Sequence, residues 1–432
     1  SVVKEHKRLN SDSVVKEHKR LNSDSVPTIR TVLWPHQQTS VDTMYNMMYV
    51  QGAHGAGDAS DVGAGKTLTA LALGSRLIGT EQIQGYGGIL VLVPNKSLIE
   101  SWINEVQKHT DGYDVLVHTA KSKVTADKVK RNSIVISALN TMRDHPVQNP
   151  WILTVIDECL SVQNSSAQWT EEAWKQTLIS RHVVLLSATF FRSRYNKLYY
   201  MLSMLQSVLP NSIEYLPTIL NERIIVHKEL STGREWHTNT TYIPFPEDIR
   251  EQYDSIQYDS GRGDQEKYGL LQQLLNSKRQ YVAEYLRTEI LNGLPEDRRA
   301  VLYTAGNDEA KLFSTVLGIP IYGSKGTDPK NCRHIIATLS KAAVGVNDLV
   351  HFNTVIMRPP PPDLLPQIKG RLDRPGQQHT DLYMEYFMID ESIDLGLEVR
   401  MNIANNFLST YIMPLAEFYT ASIRASTGTE EL

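Results

Sequence analysis

The sequence predicts an α/β protein: two tandem parallel-sheet lobes, a helical connector between them, and C-terminal helices. Three observations predict it. Short apolar runs alternate with helical or loop segments from Thr28 to about residue 215, and again from about 296 to 395. Runs of that kind, bounded by turn residues, suit strands buried on both faces, as in a parallel sheet covered by crossover helices. Between the two stretches, Ile249–Gly293 changes to helical spacing, with Tyr253, Ile256, Leu270, Leu271, Leu274, Leu275, Tyr281, Tyr285, Leu286 and Ile290 as its apolar positions.

Taken in order, residues 1–12 (SVVKEHKRLNSD) recur unchanged as 13–24. A repeat without drift reads as an artefact or a recent duplication rather than as a basic arm, so the polar segment 1–26 stands outside the fold. The first lobe, 27–215, takes strands at Gly88–Val93, Ser133–Ile136, Ile152–Ile156 and Val183–Leu186. The connector, 216–295, breaks at Ser260–Asp264 (SGRGD), a loop. The second lobe, 296–395, takes strands at Ala300–Thr304, Ile319–Tyr322, His334–Thr338, Asn353–Met357 and Asp381–Phe387. Arg358–Pro362 (RPPPP) must be extended. Residues 396–432 read as helix.

With 41% hydrophobic and 21% charged residues, the 432-residue chain is neither disordered nor collagen-like. Two cysteines, Cys159 and Cys332, cannot build a disulfide framework, which points to a reducing compartment. The N-terminus lacks a signal peptide's apolar core, and no stretch approaches the roughly 18 apolar residues of a membrane span. A soluble, intracellular protein without a membrane partner is expected. The 44 Lys+Arg against 48 Asp+Glu give a net charge of −4. Alone, that balance favours an enzyme acting on something small.

The chemistry begins at Asp61–Thr67 (DVGAGKT). Gly63 and Gly65 let backbone N–H groups close on phosphate oxygens. Lys66 supplies positive charge for the β/γ-phosphates, Thr67 a hydroxyl for Mg²⁺, and the helix that follows points its dipole at the anion. The full pattern has Gly at position 60, where Ser60 stands. Ile152–Glu158 (ILTVIDE) is an apolar strand ending in two carboxylates, at the sheet edge where α/β proteins bind ligands. Asp157 suits the Mg²⁺ shell, and Glu158 suits the orientation and deprotonation of an attacking water. ATP and Mg²⁺ are the cofactors these residues imply.

Here the sequence resembles the superfamily 2 helicase-like ATPases, and within them the Swi/Snf-type DNA translocases, over about residues 30–410. Leu33–Gln38 (LWPHQQ) looks like the family's adenine-reading element, with Gln37 its glutamine and His36 in place of the usual Tyr. Val91–Glu105 (VLVPNKSLIESWINE) resembles a DNA-touching segment. Ser187, Ala188 and Thr189 resemble the element that couples hydrolysis to lobe motion. Gln367–Gln377 (QIKGRLDRPGQ) carries all five fixed residues of Q-x-x-x-R-x-x-R-x-G-Q. Ala337–Asn347 (ATLSKAAVGVN) resembles the preceding motif, with Thr338, Gly345 and Asn347 in register. The DE box departs, continuing as Cys159-Leu160.

The resemblance implies two RecA-like lobes and an ATP-dependent motor on DNA. It implies catalytic roles for Lys66, Asp157, Glu158, Gln367, Arg371 and Arg374. The two arginines, three apart, would share a helical face and reach the γ-phosphate. Lys96, Ser97, Arg192, Arg194 and Thr338 are the candidate grips on duplex or branched DNA, through backbone contacts without sequence preference. Lys121–Arg131 (KSKVTADKVKR) is either a further contact or a solvated helix face. The net charge is then an average over Mg²⁺-binding carboxylates and a cationic groove. Fork or junction remodelling, branch migration or removal of bound protein would be the work. A minimal viral or phage motor fits, acting in a bacterial cytoplasm, a nucleus or a viral factory beside replication or recombination proteins. Other readings are a strand-separating DNA or RNA helicase, a catalytically silent nucleic-acid-binding scaffold, and a P-loop kinase of small molecules. The kinase reading does not account for the second lobe.

Overall fold

The computed structural model describes residues 25–80, 85–228, 233–342 and 349–427. The duplicated N-terminus, Gly345 and Asn347 lie outside them. The chain divides into two compact units, 1–228 with 410–432, and 229–409.

In the first unit, β1 (Thr28–Ile29) leads to α1 (Pro35–Tyr45), β2 (Gly55–Asp58), α2 (Lys66–Thr80), β3 (Ile89–Val93) and α3 (Lys96–His109). β4 (Thr110–Asp111) pairs antiparallel with β1. There follow β5 (Asp114–His118), β6 (Ser133–Ala138), α4 (Leu139–Asp144), β7 (Leu153–Ile156), α5 (Gln168–Ile179), β8 (His182–Leu186), α6 (Tyr195–Leu202), α7 (Leu216–Arg223) and β9 (Ile224–Ile225). The main sheet is seven-stranded, in the order β5-β6-β3-β7-β8-β2-β9, and every pairing is parallel. Strands β2, β3 and β6 to β9 are buried along their length, as a doubly covered sheet requires, while the edge strand β5 is half-buried.

β2 was not among the strands the pattern predicts. Its sequence, GAGD, has neither β-branched nor large apolar residues. Packing explains it: a Cβ at Gly57 would overlap Ile224 and Phe190, and one at Gly55 would lie 2.8 Å from Leu205 Cδ2. Because β9 joins this sheet, the first unit runs to Lys228 rather than to 215.

The second unit is built from β10 (Glu235–Ile243), α8 (Arg250–Gln257), α9 (Asp264–Asn276), α10 (Arg279–Glu289), β11 (Ala300–Thr304), α11 (Asn307–Leu317), β12 (His334–Thr338), α12 (Leu339–Ala342), β13 (Thr354–Met357), α13 (Leu365–Leu372), β14 (Asp381–Ile389) and α14 (Leu395–Phe407). Its sheet is also wholly parallel, ordered β10-β14-β13-β11-β12. Residues of β11 alternate between two cores. Ala300 and Leu302 face the one built with α8–α10, while Val301 and Tyr303 face the other.

Three expectations are corrected here. The helices of 249–290 are not a free connector, since Tyr253, Leu271, Leu275, Val282 and Leu286 are buried in the core of the second sheet. The segment 319–322 is not a strand but a single bridge, Ile321 to Ile336. The helical tail is divided: α14 belongs to the second unit, and α15 (Met413–Thr427) belongs to the first. Among the described residues, no helix is long and apolar enough to cross a membrane.

Candidate functional site

Because the first sheet is parallel, the residues that follow β2, β3, β7, β8 and β9 leave from one carboxyl edge. These are the phosphate loop, Lys96-Ser97, Asp157-Glu158, Ser187–Thr189 and Val226–Lys228.

The phosphate loop is held from several sides. Gly63 and Gly65 take φ of +82° and +79°, the left-handed region that glycine enters without strain. A Cβ at Gly65 would also overlap Gln37. Gln37 is 3% exposed; its Nε2 donates to Gly65 O at 3.1 Å, and its Oε1 accepts Trp34 N at 2.9 Å. Its amide thus braces the loop. Aromatic surface is offered instead by Trp34, which is 55% exposed. His36, whose Nε2 pairs with Ala64 O at 2.8 Å, stacks on His227 with ring centroids 3.9 Å apart. Lys66 Nζ donates to the carbonyls of Ser60 (2.8 Å) and Asp61 (2.9 Å). Thr67 is half-buried in the first turn of α2.

Two carboxylates sit at the strand ends. Asp157 is half-buried; its Oδ2 accepts Trp102 Nε1 at 2.8 Å and its Oδ1 accepts Glu158 N at 2.9 Å. Burial raises its pKa, opposed by these donors and by the charge of Lys66. Glu158 is exposed, with φ +47°, a rare value for a residue with a side chain. Cys159, beside it, is fully buried, and burial raises its thiol pKa well above the ordinary value. Thr67 hydroxyl and Asp157 carboxylate are hard oxygen donors of the kind that hold Mg²⁺ together with phosphates and water. The residues therefore fit the ion.

In the Ser187–Thr189 turn, Ser187 Oγ accepts the N–H of Thr189 (3.3 Å) and of Phe190 (3.4 Å). Ala188 O accepts Lys228 Nζ at 2.9 Å. Lys96 and Ser97 are exposed at the start of α3, where Asn95 Oδ1 caps Ser97 N at 3.1 Å. Arg194 is exposed, and Arg192 half-buried. Lys121–Arg131 is loop with one 3₁₀ turn, not a helix face, and Arg131 donates inward to Ile78 O.

In the second unit, Gln367 and Arg371 lie half-buried on α13. The helix ends at Leu372, so Arg374 stands in the turn beyond it and not on the same helical face. That turn is fixed by Asp373, which pairs with Arg234 NH1 at 2.9 Å and accepts Trp236 Nε1 at 3.1 Å. Gly376 (φ +100°) turns the chain, and buried Gln377 donates to Phe352 O at 2.8 Å. Burial and the charge of Arg374 lower the pKa of Arg371, against the pull of Tyr303. Thr338 is 2% exposed, its hydroxyl 3.0 Å from Ser340 Oγ. Its burial leaves that hydroxyl little room for the strand contact expected of it, whereas Ser340 is exposed.

Four residues of the site escaped the sequence reading. Trp102 reads as packing, yet its indole also holds Asp157. Asp58 is 1% exposed at the end of β2, and its Oδ1 accepts Ser60 N at 2.9 Å. His227 and Lys228 reach the phosphate loop from β9. A carboxylate just before a Gly-Lys-Thr loop was the one signal in the sequence that could have found Asp58.

A phosphate-loop lysine and an Asp-Glu pair on one parallel edge define a nucleotide-binding α/β protein. Comparison narrows the class. The SNF2-related domain matches residues 36–304. A protein of Acanthamoeba polyphaga mimivirus, named "Putative helicase L115", is 46% identical over 401 residues, 92% of this chain and 31% of that protein's length. The chain thus spans about a third of that relative. A solved structure titled "Sulfolobus solfataricus SWI2/SNF2 ATPase core in complex with dsDNA" is 18% identical, covering 94% of this chain and 98% of that one, with a TM-score of 0.44. The chain belongs to the SNF2-related family.

Proposed function

We propose that the chain is a Mg²⁺-dependent ATP hydrolase whose turnover is stimulated by DNA and moves it along duplex or branched DNA. The observation that carries this is the gathering of Lys66, Thr67, Asp157 and Glu158 at one carboxyl edge in a member of the SNF2-related family. Lys66 Nζ, now on two backbone carbonyls, is the cation for the β/γ-phosphates. Asp157 and Thr67 hold Mg²⁺, which when bound offsets phosphate charge. Glu158, exposed and fixed in an unusual backbone conformation, orients the attacking water and receives its proton. Arg371, whose pKa is lowered by burial and by the nearby charge of Arg374, forms with that second cation a pair that suits an anionic ligand, and the γ-phosphate is the one proposed. Lys96, Ser97, Arg192, Arg194 and Ser340 supply strand contacts of the backbone kind, indifferent to sequence. Branch migration and work beside viral or host replication proteins extend this reading.

The test is ATP turnover without nucleic acid and with single-stranded, duplex and branched DNA, beside Lys66→Ala and Glu158→Gln. Both variants are expected to lose at least about a hundredfold in turnover, in line with general-base losses of 10²–10⁴. Glu158→Gln should still bind nucleotide. Turnover indifferent to every nucleic acid excludes the translocase. Stimulation by duplex without strand separation separates translocase from helicase, and nucleic-acid binding without any hydrolysis identifies a scaffold.

A further inference from the structure

The last strand of the first unit does more than close a sheet. From β9 onward, residues 225–228 make a row of ties to the phosphate loop. Ala59 N donates to Ile225 O at 2.9 Å, and Asp61 N donates to His227 O at 3.0 Å. His227 N donates to Ser60 Oγ at 2.9 Å, which gives a task to the serine standing where the loop pattern has glycine. The row ends on Lys228, 9% exposed. Its Nζ reaches Asp61 Oδ1 at 2.9 Å and Ala188 O, also at 2.9 Å.

One ammonium thus joins the phosphate loop to the Ser187–Thr189 turn. A lysine carries a strong desolvation penalty and is seldom buried without partners. Here the partners are one carboxylate and one carbonyl, from two elements that are far apart in sequence. The residues on the loop side, Ser60 and Asp61, are also the two whose carbonyls hold Lys66. Their peptide groups therefore face two lysines: Lys66 through their carbonyls, and Lys228 through the Asp61 side chain. A phosphate taken by Lys66 competes with those carbonyls for its ammonium, and Asp61, one of the two residues that hold it, is anchored to Lys228 through its side chain.

We propose that Lys228 is a positioning residue that clasps the phosphate loop to the Ala188 carbonyl, so that nucleotide binding at Lys66 is linked to the Ser187–Thr189 turn. The proposal rests on the nucleotide-site reading above and adds to it the residue that relays occupancy. Lys228 touches no reacting atom and acts through Asp61. It is also the last residue of the first unit before the chain enters the second.

The test uses the full chain and a fluorescent ADP (mant-ADP) without nucleic acid, for wild type, Lys228→Ala, Lys228→Arg, Asp61→Asn and the double variant Lys228→Ala/Asp61→Asn. Lys228→Ala should raise the Kd about tenfold, the scale of one lost hydrogen bond to a charged group. The double variant should bind no worse than the weaker single one, because a pair can be broken only once. Lys228→Arg should recover most of the affinity. Should Lys228→Ala not fold, Asp61→Asn, at a partly exposed carboxylate, carries the same test. A parallel measurement of ATP turnover should show stimulation by duplex DNA reduced severalfold in Lys228→Ala. Wild-type affinity in both Lys228→Ala and Asp61→Asn overturns the clasp. Additive losses in the double variant overturn it too. A wild-type chain that binds no nucleotide sinks the nucleotide site and the clasp together. A wild-type chain that binds nucleotide but ignores DNA sinks the translocase reading alone, and the affinities still decide the clasp.

Discussion

At the scale of residues, the site is organised by groups that stand behind the side chains to which the proposed chemistry is assigned. Trp102 holds Asp157 through a single indole N–H. Partners in this outer position orient a metal ligand, and their loss commonly costs ten- to a hundredfold in metal affinity. Trp102→Phe should therefore raise the Mg²⁺ concentration for half-maximal turnover about tenfold, with a smaller change in the KM for ATP at saturating Mg²⁺. Gly65→Ala should abolish mant-ADP binding, since the new Cβ would both overlap Gln37 and strain a backbone held at φ +79°. Asp58 gives a pH prediction. Burial raises its pKa, opposed by Lys66 and by the Ser60 hydrogen bond. A carboxyl with a raised folded pKa binds its proton more tightly in the native state, so its contribution to stability is greatest at low pH. It falls as pH climbs from the ordinary carboxylate value through the raised one. Asp58→Asn keeps an acceptor for Ser60 N and removes the charge. Its melting temperature at neutral pH should exceed wild type, and the fall between acid and neutral pH should flatten. A lower melting temperature at neutral pH would contradict this account.

At the scale of elements, the arginine turn shows how a linear pattern becomes a shape. The five fixed residues of Gln367–Gln377 suggest one helix carrying both arginines, but α13 stops at Leu372. Arg374 is placed by a turn, and the turn is held by Arg234 and Trp236 on and beside β10. The Arg234–Asp373 pair is largely shielded from water, so it should survive salt better than a surface pair. Arg234→Ala is predicted to destabilise the second unit by about 2 kcal/mol, as loss of a hydrogen bond to a charged group does. Faster amide hydrogen exchange confined to the turn would report it. Unchanged exchange there would show that Gly376 and Gln377 suffice.

At the scale of the whole molecule, the chain leaves the first unit after Lys228, builds the second, and returns to the first from Thr410. The returning helix α15 buries Leu415 and Ala416 and packs Tyr419 onto the core of the first unit. Burial raises the Tyr419 pKa to about 12, and Asp58 nearby adds to the rise. Removing residues 410–432 should therefore lower the stability of the first unit, although the cut lies next to the second in sequence. Full burial of a leucine alone contributes about 1.5–3 kcal/mol. Calorimetry resolving two transitions should show the first unit's melting point lowered and the second's unchanged. A shift confined to the second would reverse the assignment.

The sequence alone determined the α/β class, the strands of large apolar residues such as Ile89–Val93 and Leu153–Ile156, the phosphate loop, the Asp-Glu pair and the arginine pattern. These are legible because each depends on local spacing: period, turn chemistry, or a few residues at fixed offsets. The tertiary structure decided what spacing cannot carry. GAGD becomes a strand because Phe190, Leu205 and Ile224 leave room only for small residues over it. The helices of 249–290 join the second sheet, and α15 returns to the first, because apolar faces are covered by whatever partner the fold brings to them. Trp102 meets Asp157, and Lys228 meets Asp61 and Ala188, because parallel strands deliver their carboxyl ends to one edge whatever their order along the chain. Hydrophobic burial and hydrogen bonding are blind to sequence distance, and that is why the chemistry of the site was readable before its supports were.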